Sequence, residues 1–595
     1  MCLALGVLPC ALATAQAPSL AAGSAADARV DATPAAPDVA PGTAPVERLA
    51  HAFEARGPDE PLDDRVERTR AEASRMGMWS AEPAARGLLL ADRLGREAQR
   101  ARAAVRLAPG LPAAWGAVAV SDPGLGSGPA LLRALLEMER NLDASVWWRA
   151  NAWHVLAWGL VVGSLLFLVA SAVRLAPSAA HDLGHRLPGR LPPHAIAAVL
   201  ASLGVLPAAL GEGLVGLAVG AFGVAFPWAT PRHRAALLAA IAAGAAGVYP
   251  VTAETGRWIA ARHADPATLA IRDAEVGDLT PDQRERLARL ASRDPAAVHA
   301  LAVWSKRSDR LDEAWRWLEL ADDEDSASPV LLNDAANVRL AMGDASGAIR
   351  LYEAAVEHEP DAAVLFNLAQ VYGSRIELGR QETSLEAAHA ASAGTVRELL
   401  DLRGNGRLAV DLPWPVSDLR RRLANAADGK AVAAALRAPF GSGRLVASPW
   451  LAPGLLLAMA VVGAAIGRGH QDSRVCGVCH ARRCERCVPR RAIGCSVCGA
   501  PGSSPPLLDA LVGLGRPVAV RTIPGLAGIA AGKPFVGWTA ALAGATAGAA
   551  VLLRGGVVPD PLVVGQAGQV AFVGAAVLLA LVWAATTWWP LRSLR

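Results

Sequence analysis

The sequence predicts a mainly α-helical membrane protein: several apolar spans, an α-solenoid built of helix pairs, and a small zinc-ribbon-like module. Three observations predict it. Apolar runs of membrane-crossing length recur along the chain, a 34-residue period runs through 252–403, and six of the eight cysteines form Cys-x-x-Cys pairs between two apolar runs. With 595 residues, 53% of them hydrophobic and 5% aromatic, the chain is long enough for several domains and too apolar for an ordinary soluble protein. The net charge of +4 is small, and Lys306, Lys430 and Lys533 are the lysines among mostly arginine cations. That bias, with abundant Ala and Gly, points to a GC-rich bacterial genome and says little about partners.

Residues 1–17 form a short apolar run with Ala15 and Ala17 placed as in a small-residue cleavage site, although a basic leading segment is missing. They read as an export signal or a weak uncleaved anchor; in both cases the following residues are exported, and cleavage would remove Cys2 and Cys10 with the signal. Residues 18–60, rich in Ala, Pro, Asp and Gly without periodicity, read as a flexible linker. Residues 61–148 carry helical patterns, and Leu107-Ala108-Pro109 followed by Ala113-Ala114-Trp115 reads as a degenerate repeat junction. Four spans follow within 149–251. The first, 152–173, begins beside Trp147, Trp148 and Trp153, which are expected at the membrane interface. The apolar run 195–228 is too long for one span and is broken by Pro207 and Gly211-Glu212-Gly213, predicting helices over 194–210 and 213–229 joined by a tight turn. The fourth covers 235–251. Arg174, Arg186 and Arg190 in one loop, and Arg232 and Arg234 in another, assign both loops to the cytoplasm.

Within 252–403, Asp294-Pro295 recurs as Ser328-Pro329, and Ala314, Leu318 and Ala321 recur as Ala348, Tyr352 and Ala355, each 34 positions on. This is the tetratricopeptide period. Small residues at fixed positions let two antiparallel helices approach, and large ones fill the space beside them. Gly343 falls where the first helix turns into the second, and Leu368 and Tyr372 reopen the pattern after Pro360. One such unit cannot bury its apolar face alone, so the units are expected to stack and to present a groove to a protein partner. Residues 404–447, with Asp411-Leu412-Pro413-Trp414-Pro415, break the period and read as a cap or linker.

A fifth span, 449–466 within 448–467, leads into the cysteine module at 468–522. Cys476 and Cys479 with Cys495 and Cys498 give C-x2-C-x15-C-x2-C, the spacing of two knuckles closing one tetrahedral zinc site of structural type. The alternative set replaces the first pair with Cys484 and Cys487, and a two-metal arrangement would draw on His470 and His480. Thiolates hold zinc only while reduced, and the surrounding arginines follow the positive-inside pattern, so two independent arguments put this loop in the cytoplasm and argue against disulfides. Without interleaved aromatics the arginines do not predict nucleic-acid binding; topology and anionic lipid account for them. Residues 523–595 hold an interfacial or re-entrant piece, Pro524–Pro534, and spans over 535–553 and 568–589 that end near Trp588 and Trp589. That completes seven spans, with the repeats outside and the cysteines inside.

Apart from His154 and Glu212 the spans hold almost no ionisable residues, and no catalytic constellation or small-molecule substrate site is legible. His181 and His185 lie one helical turn apart with Asp182 between them, a spacing more often incidental than metal-binding. The order of parts resembles uncharacterised inner-membrane proteins of delta-proteobacteria and their relatives, which combine tetratricopeptide repeats, a cytosolic cysteine cluster and a terminal helical pair. The resemblance rests on His181-Asp182-Leu183, the repeat cores, Asp411-Leu412-Pro413, the cysteine pairs and the stretch from Pro524-Gly525 to Gly532-Lys533-Pro534. It implies scaffold use. The expectation is therefore a non-enzymatic inner-membrane scaffold with a periplasmic repeat groove, a cytoplasmic structural zinc and the lipid bilayer as its environment. The rival readings are a membrane enzyme or transporter handling envelope glycans, and a thiol or zinc sensor. Purified protein is expected to carry about one zinc per chain. Its cysteines should react with an impermeant thiol reagent only after the cells are permeabilised; labelling of intact cells would invert the topology.

Overall fold

A single helix of 43 residues, Leu142–Gly184, forms an axis against which Pro193–Pro207, Gly213–Ala225, Pro231–Ala264 and Pro534–Leu552 pack; at 1.5 Å per residue it is ~65 Å long. The structure is a computed structural model and describes residues 42–55, 60–91, 97–121, 127–184, 192–277, 279–321, 328–403, 409–468, 474–475, 482–483 and 525–592. The signal-like segment 1–17, the first part of the linker and all the cysteines lie outside the described residues.

Five apolar helical stretches have the length and composition to cross a membrane, Leu142–Gly184, Ala195–Trp228, Pro231–Ala264, Pro534–Leu552 and Gly565–Thr587, the second of them bent at Gly211, with Leu451–Ile466 a shorter apolar helix. These mark the chain as a membrane protein. Their outward faces carry Val199, Leu203, Leu210, Leu457, Val461, Leu578 and Leu581, all at least half exposed, as suits a hydrocarbon solvent.

The second run folds back on itself where the sequence places a turn. Gly211 has φ 94° and Gly213 φ 56°, conformations open to glycine. They join arms of 15 and 13 residues, Pro193–Pro207 and Gly213–Ala225, and Gly220 lies against the backbone of Gly204 in the facing arm. Each arm is shorter than the ~20 residues of an ordinary span. The turn is pinned: Ser442 N–H donates to Gly211 O at 3.2 Å, and Leu445 N–H donates to a Glu212 carboxylate oxygen at 2.9 Å.

Two spans outrun their sequence-predicted ends. The first, expected at 152–173, is the middle of the 43-residue helix, whose start at Leu142–Ala150 is buried among soluble helices. The fourth, expected to stop at 251, continues to Ala264. Pro250 cannot donate an N–H and pushes against the preceding turn, and a π-helical turn over Gly247–Val251 absorbs this instead of ending the helix. Trp147 also departs from expectation. It is buried, sits edge-on to Phe572 at 6.0 Å and donates through Nε1 to Val558 O at 3.0 Å, so it fastens the last helical pair and does not face lipid.

The turn between Pro534–Leu552 and Gly565–Arg592 is closed by Asp560, whose carboxylate accepts from the N–H groups of Val563, Val564 and Gly565. Ala113 N–H donates to Val563 O at 2.9 Å, docking this turn on the soluble helices. The short helix Leu526–Ala530 folds back against the start of Pro534–Leu552, where Gly528 meets Gly537 with no side chain between.

The regions predicted as separate, 61–148 and 252–403, share one core. Leu49, Val66 and Leu107 pack with Ile271, Leu287, Leu301 and Leu419. The body is therefore assembled from segments on both sides of the first membrane block and lies on one side of any bilayer the spans cross. Gly213→Ala is expected to cost about 1–3 kcal/mol, because it demands a positive φ and sets a Cβ 2.7 Å from Gly441 Cα. Gly110→Ala, which meets nothing within 4 Å, serves as the control in thermal unfolding.

Candidate functional site: an extended strap against a row of polar side chains

Three consecutive helix pairs build one wall of the body: Pro295–Arg307 with Leu311–Leu318, Pro329–Ala341 with Ala345–His358, and Ala362–Ser374 with Leu378–Arg403. Local chemistry starts them alike. Asp294 and Asp361 accept from the N–H groups of Ala296 and Ala363 at 3.1 and 2.7 Å, and Pro295 and Pro329 occupy first helical positions where a missing N–H costs nothing. The turns inside the pairs also match. Asp309, Gly343 and Ile376 take φ of 57°, 89° and 63° at corresponding positions, so Gly343 is one case of a shared left-handed turn.

The sequence-predicted framework falls where packing needs it. Ala314 and Leu318 are buried in the first pair, Ala348, Tyr352 and Ala355 in the second, and Leu368 and Tyr372 in the third. Ala321 ends the first pair's short terminal turn. The buried side chains among them hold the helices together.

A second register with the same 34-residue spacing escaped the sequence reading: His299, Asn333 and Asn367, one on the first helix of each pair, all 1% exposed or less. They face residues 409–415, which run extended against the first helices. The Nδ2 groups of Asn333, Asn337 and Asn367 converge on Val410 O at 3.2, 3.0 and 2.9 Å, and Val410 N–H donates to Asn367 Oδ1 at 2.9 Å. Main-chain groups are thus read by side-chain amides. Asp411 follows, buried, accepting from Lys306 Nζ, Arg307 Nε (2.9 Å) and Asn337 Nδ2 (2.9 Å). Its own N–H donates to Gly77 O at 3.0 Å, and Trp79 Nε1 donates to its carbonyl at 2.7 Å. Trp414 N–H ends the run on Glu275 Oε1 at 2.6 Å. The segment expected as a cap or linker is therefore a strap laid across the helix pairs.

Electrostatics fit this arrangement. Burial works to raise the Asp411 carboxyl, but Lys306 and Arg307 outweigh it and hold the pKa below the ordinary range. Burial would lower His299, yet the charge of Asp334, 2.6 Å from Nδ1, and that of Glu275 push it up to about 10. Burial takes Asp334 up to about 6 against the pull of His299. Inside the wall the two groups favour each other's charged form.

Among the described residues, no group of three or more His, Cys, Asp or Glu is arranged to hold a metal ion. The candidate ligands Cys476, Cys479, Cys495 and Cys498, and the alternative Cys484 and Cys487, lie outside the described residues. Their flanks are described in part: Arg474 and Val475 pair antiparallel with Arg483 and Arg482, so a two-residue ladder brackets the first Cys-x-x-Cys pair. His181 Nδ1 meets Asp182 at 3.1 Å, while His185 lies outside the described residues. Of the two ionisable residues that the sequence singles out in the spans, Glu212 is engaged at the turn described above and His154 is buried in the long helix. No protein-family model matches the sequence, and no curated protein matches it.

The missed row had a signal: a polar residue at each 34th position inside apolar first helices. Folding raises His299 from about 6.5 to about 10, so its contribution to stability is complete below pH 6.5 and is lost as pH climbs towards 10. Denaturation midpoints of the wild type should fall across that window, and His299→Gln should abolish the slope; parallel curves would refute the ionised pair.

Proposed function

We propose that the chain is a bacterial inner-membrane scaffold that docks a protein partner on a periplasmic, tetratricopeptide-like solenoid and carries a structural zinc module on its cytoplasmic side. The observation that carries this reading is the wall of three helix pairs, whose first helices hold an extended polypeptide by hydrogen bonds to its main chain. Such a surface has the chemistry of peptide recognition: side-chain amides read the backbone, and side chains of the held segment seat between helices. In this chain the held segment is its own 409–415, and a cavity of about 380 Å³ remains open beside it, lined by the ends of the first helices.

The two-residue ladder around Cys476 and Cys479 supports the zinc knuckle, because a tetrahedral thiolate pair of this spacing closes a short antiparallel turn. Zinc there would hold the loop between the apolar helices in one shape and supply no chemistry. The basic residues Arg232 and Arg234, at the start of the helix Pro231–Ala264, support the orientation.

The docking reading is tested by placing a photo-crosslinking amino acid at Ser374, which lines the open cavity, in the native bacterium. A discrete protein adduct at Ser374, missing when the same group replaces the exposed Arg289, is the expected outcome. A protein that assembles normally and yields no adduct at Ser374 would remove this surface as the docking site.

A further inference from the structure

The cavity beside the strap has an unbalanced charge. Four cationic side chains line it: Arg48, Arg75, Lys306 and Arg307. Behind them stand two buried carboxylates. Glu72 is shared by Arg48, at 2.6 Å, and Arg75; Asp411 is shared by Lys306 and by Arg307, at 2.9 Å. Four cations against two buried anions leave an excess of two. Asp309, 2.7 Å from Arg48, offsets one of them from a position where it is 65% exposed and well solvated. With Asp309, which also lines the cavity, the carboxylates hold the cations in place and leave one positive charge uncompensated, an arrangement that favours a further anion entering from solvent.

The same cavity lies along the face that holds the strap. Ala409, at the strap's beginning, lines it, as do Gln370 and Ser374 from the last turns of the third pair's first helix. Met76, Leu340 and Val371 add apolar lining. Its size of about 380 Å³ falls at the lower end of ligand pockets, ~300–1,000 Å³.

We infer that this cavity is an anion subsite taking the carboxylate side chains of an extended, acidic segment of the partner protein, laid on the helix wall next to the strap. The inference rests on the docking function proposed above and names the partner's chemistry. The strap supplies the pattern: its Asp411 is held by two of these four cations while its main chain is read by amides one position earlier. A partner carboxylate would meet Arg75, whose side chain is 36% exposed and bonded to Glu72 through one terminal nitrogen.

The test uses the full chain in nanodiscs of a neutral lipid, so that anionic headgroups do not compete. The probe is a fluorescent octapeptide alternating Glu with Ala, read by anisotropy beside its Gln-for-Glu counterpart. The acidic peptide should bind saturably and weaken with salt, and the amide peptide should bind at least tenfold more weakly. Arg75→Glu and Ser374→Glu, which leave the strap's own bonds in place, should each lower the affinity tenfold or more, and Ser374→Glu, at a residue outside the Glu72 ion pairs, should do so with an unchanged melting curve. Equal binding of both peptides, or an affinity unmoved by either reversal, would overturn the inference. Full displacement by inorganic phosphate at equal concentration would also overturn it, in favour of a small oxyanion. If the acidic peptide fails to bind while Ser374 still crosslinks to a protein, the acidic class is wrong and the docking reading stands. If both fail, the docking reading falls with it.

Discussion

The buried carboxylate of Asp411 is the constraint on which the body depends. Placing a charge where it is 2% exposed carries a desolvation penalty of several kcal/mol, and only close, well-oriented counter-charges offset it. Lys306 and Arg307 supply these, and both leave the same helix at adjacent positions because Pro295–Arg307 ends there. The bond to Gly77 and the Trp79 indole then bring in a turn 332 residues earlier in the chain. One aspartate therefore joins the amino-terminal helices, the first helix pair and the strap. The chain between these parts passes through the membrane block, so the body closes only after the spans that follow Leu142 have been placed.

The membrane block obeys a different solvent but uses the same devices. Hydrocarbon offers no hydrogen bonds, so turns within it or at its edge must be satisfied by the protein. Glu212 does this at one turn and Asp560 at another, each carboxylate accepting from backbone N–H groups. Close packing between spans relies on small residues: a side chain at Gly163 would press on Leu542, and one at Gly247 on Val161.

Much of this was legible in the residues, and the failures have physical reasons. Gly211-Glu212-Gly213 announced a turn because positive φ is open to glycine, and the small and large positions of the 34-residue period fell into the buried framework. Helix ends were read less well. Hydropathy reports which solvent a residue prefers, whereas helix continuity depends on backbone hydrogen bonding, so Pro250 looked like a stop and is a π turn. Trp147 was placed at an interface by its type, yet Phe572, more than 400 positions away, gives it a buried seat. The strap was the largest omission. Two prolines and an aspartate look like a break in a helical pattern, and nothing local tells that the break is bound across three helix pairs. The polar row His299, Asn333 and Asn367 shared the period of the framework and was hidden by it.

The 43-residue helix has a further consequence. Because it runs unbroken from the body into the apolar region, no flexible linker separates the two along this helix, and the body's orientation is tied to that of the span. A flexible tether spreads a captured molecule over a volume set by its length, diluting it relative to neighbours in the membrane. For the docking function proposed above, a rigid strut would confine a bound partner to a thin layer, so that two copies meeting in the plane would hold it at the same level and in the same orientation. Diffusion in two dimensions then does the work that a third dimension would otherwise dilute.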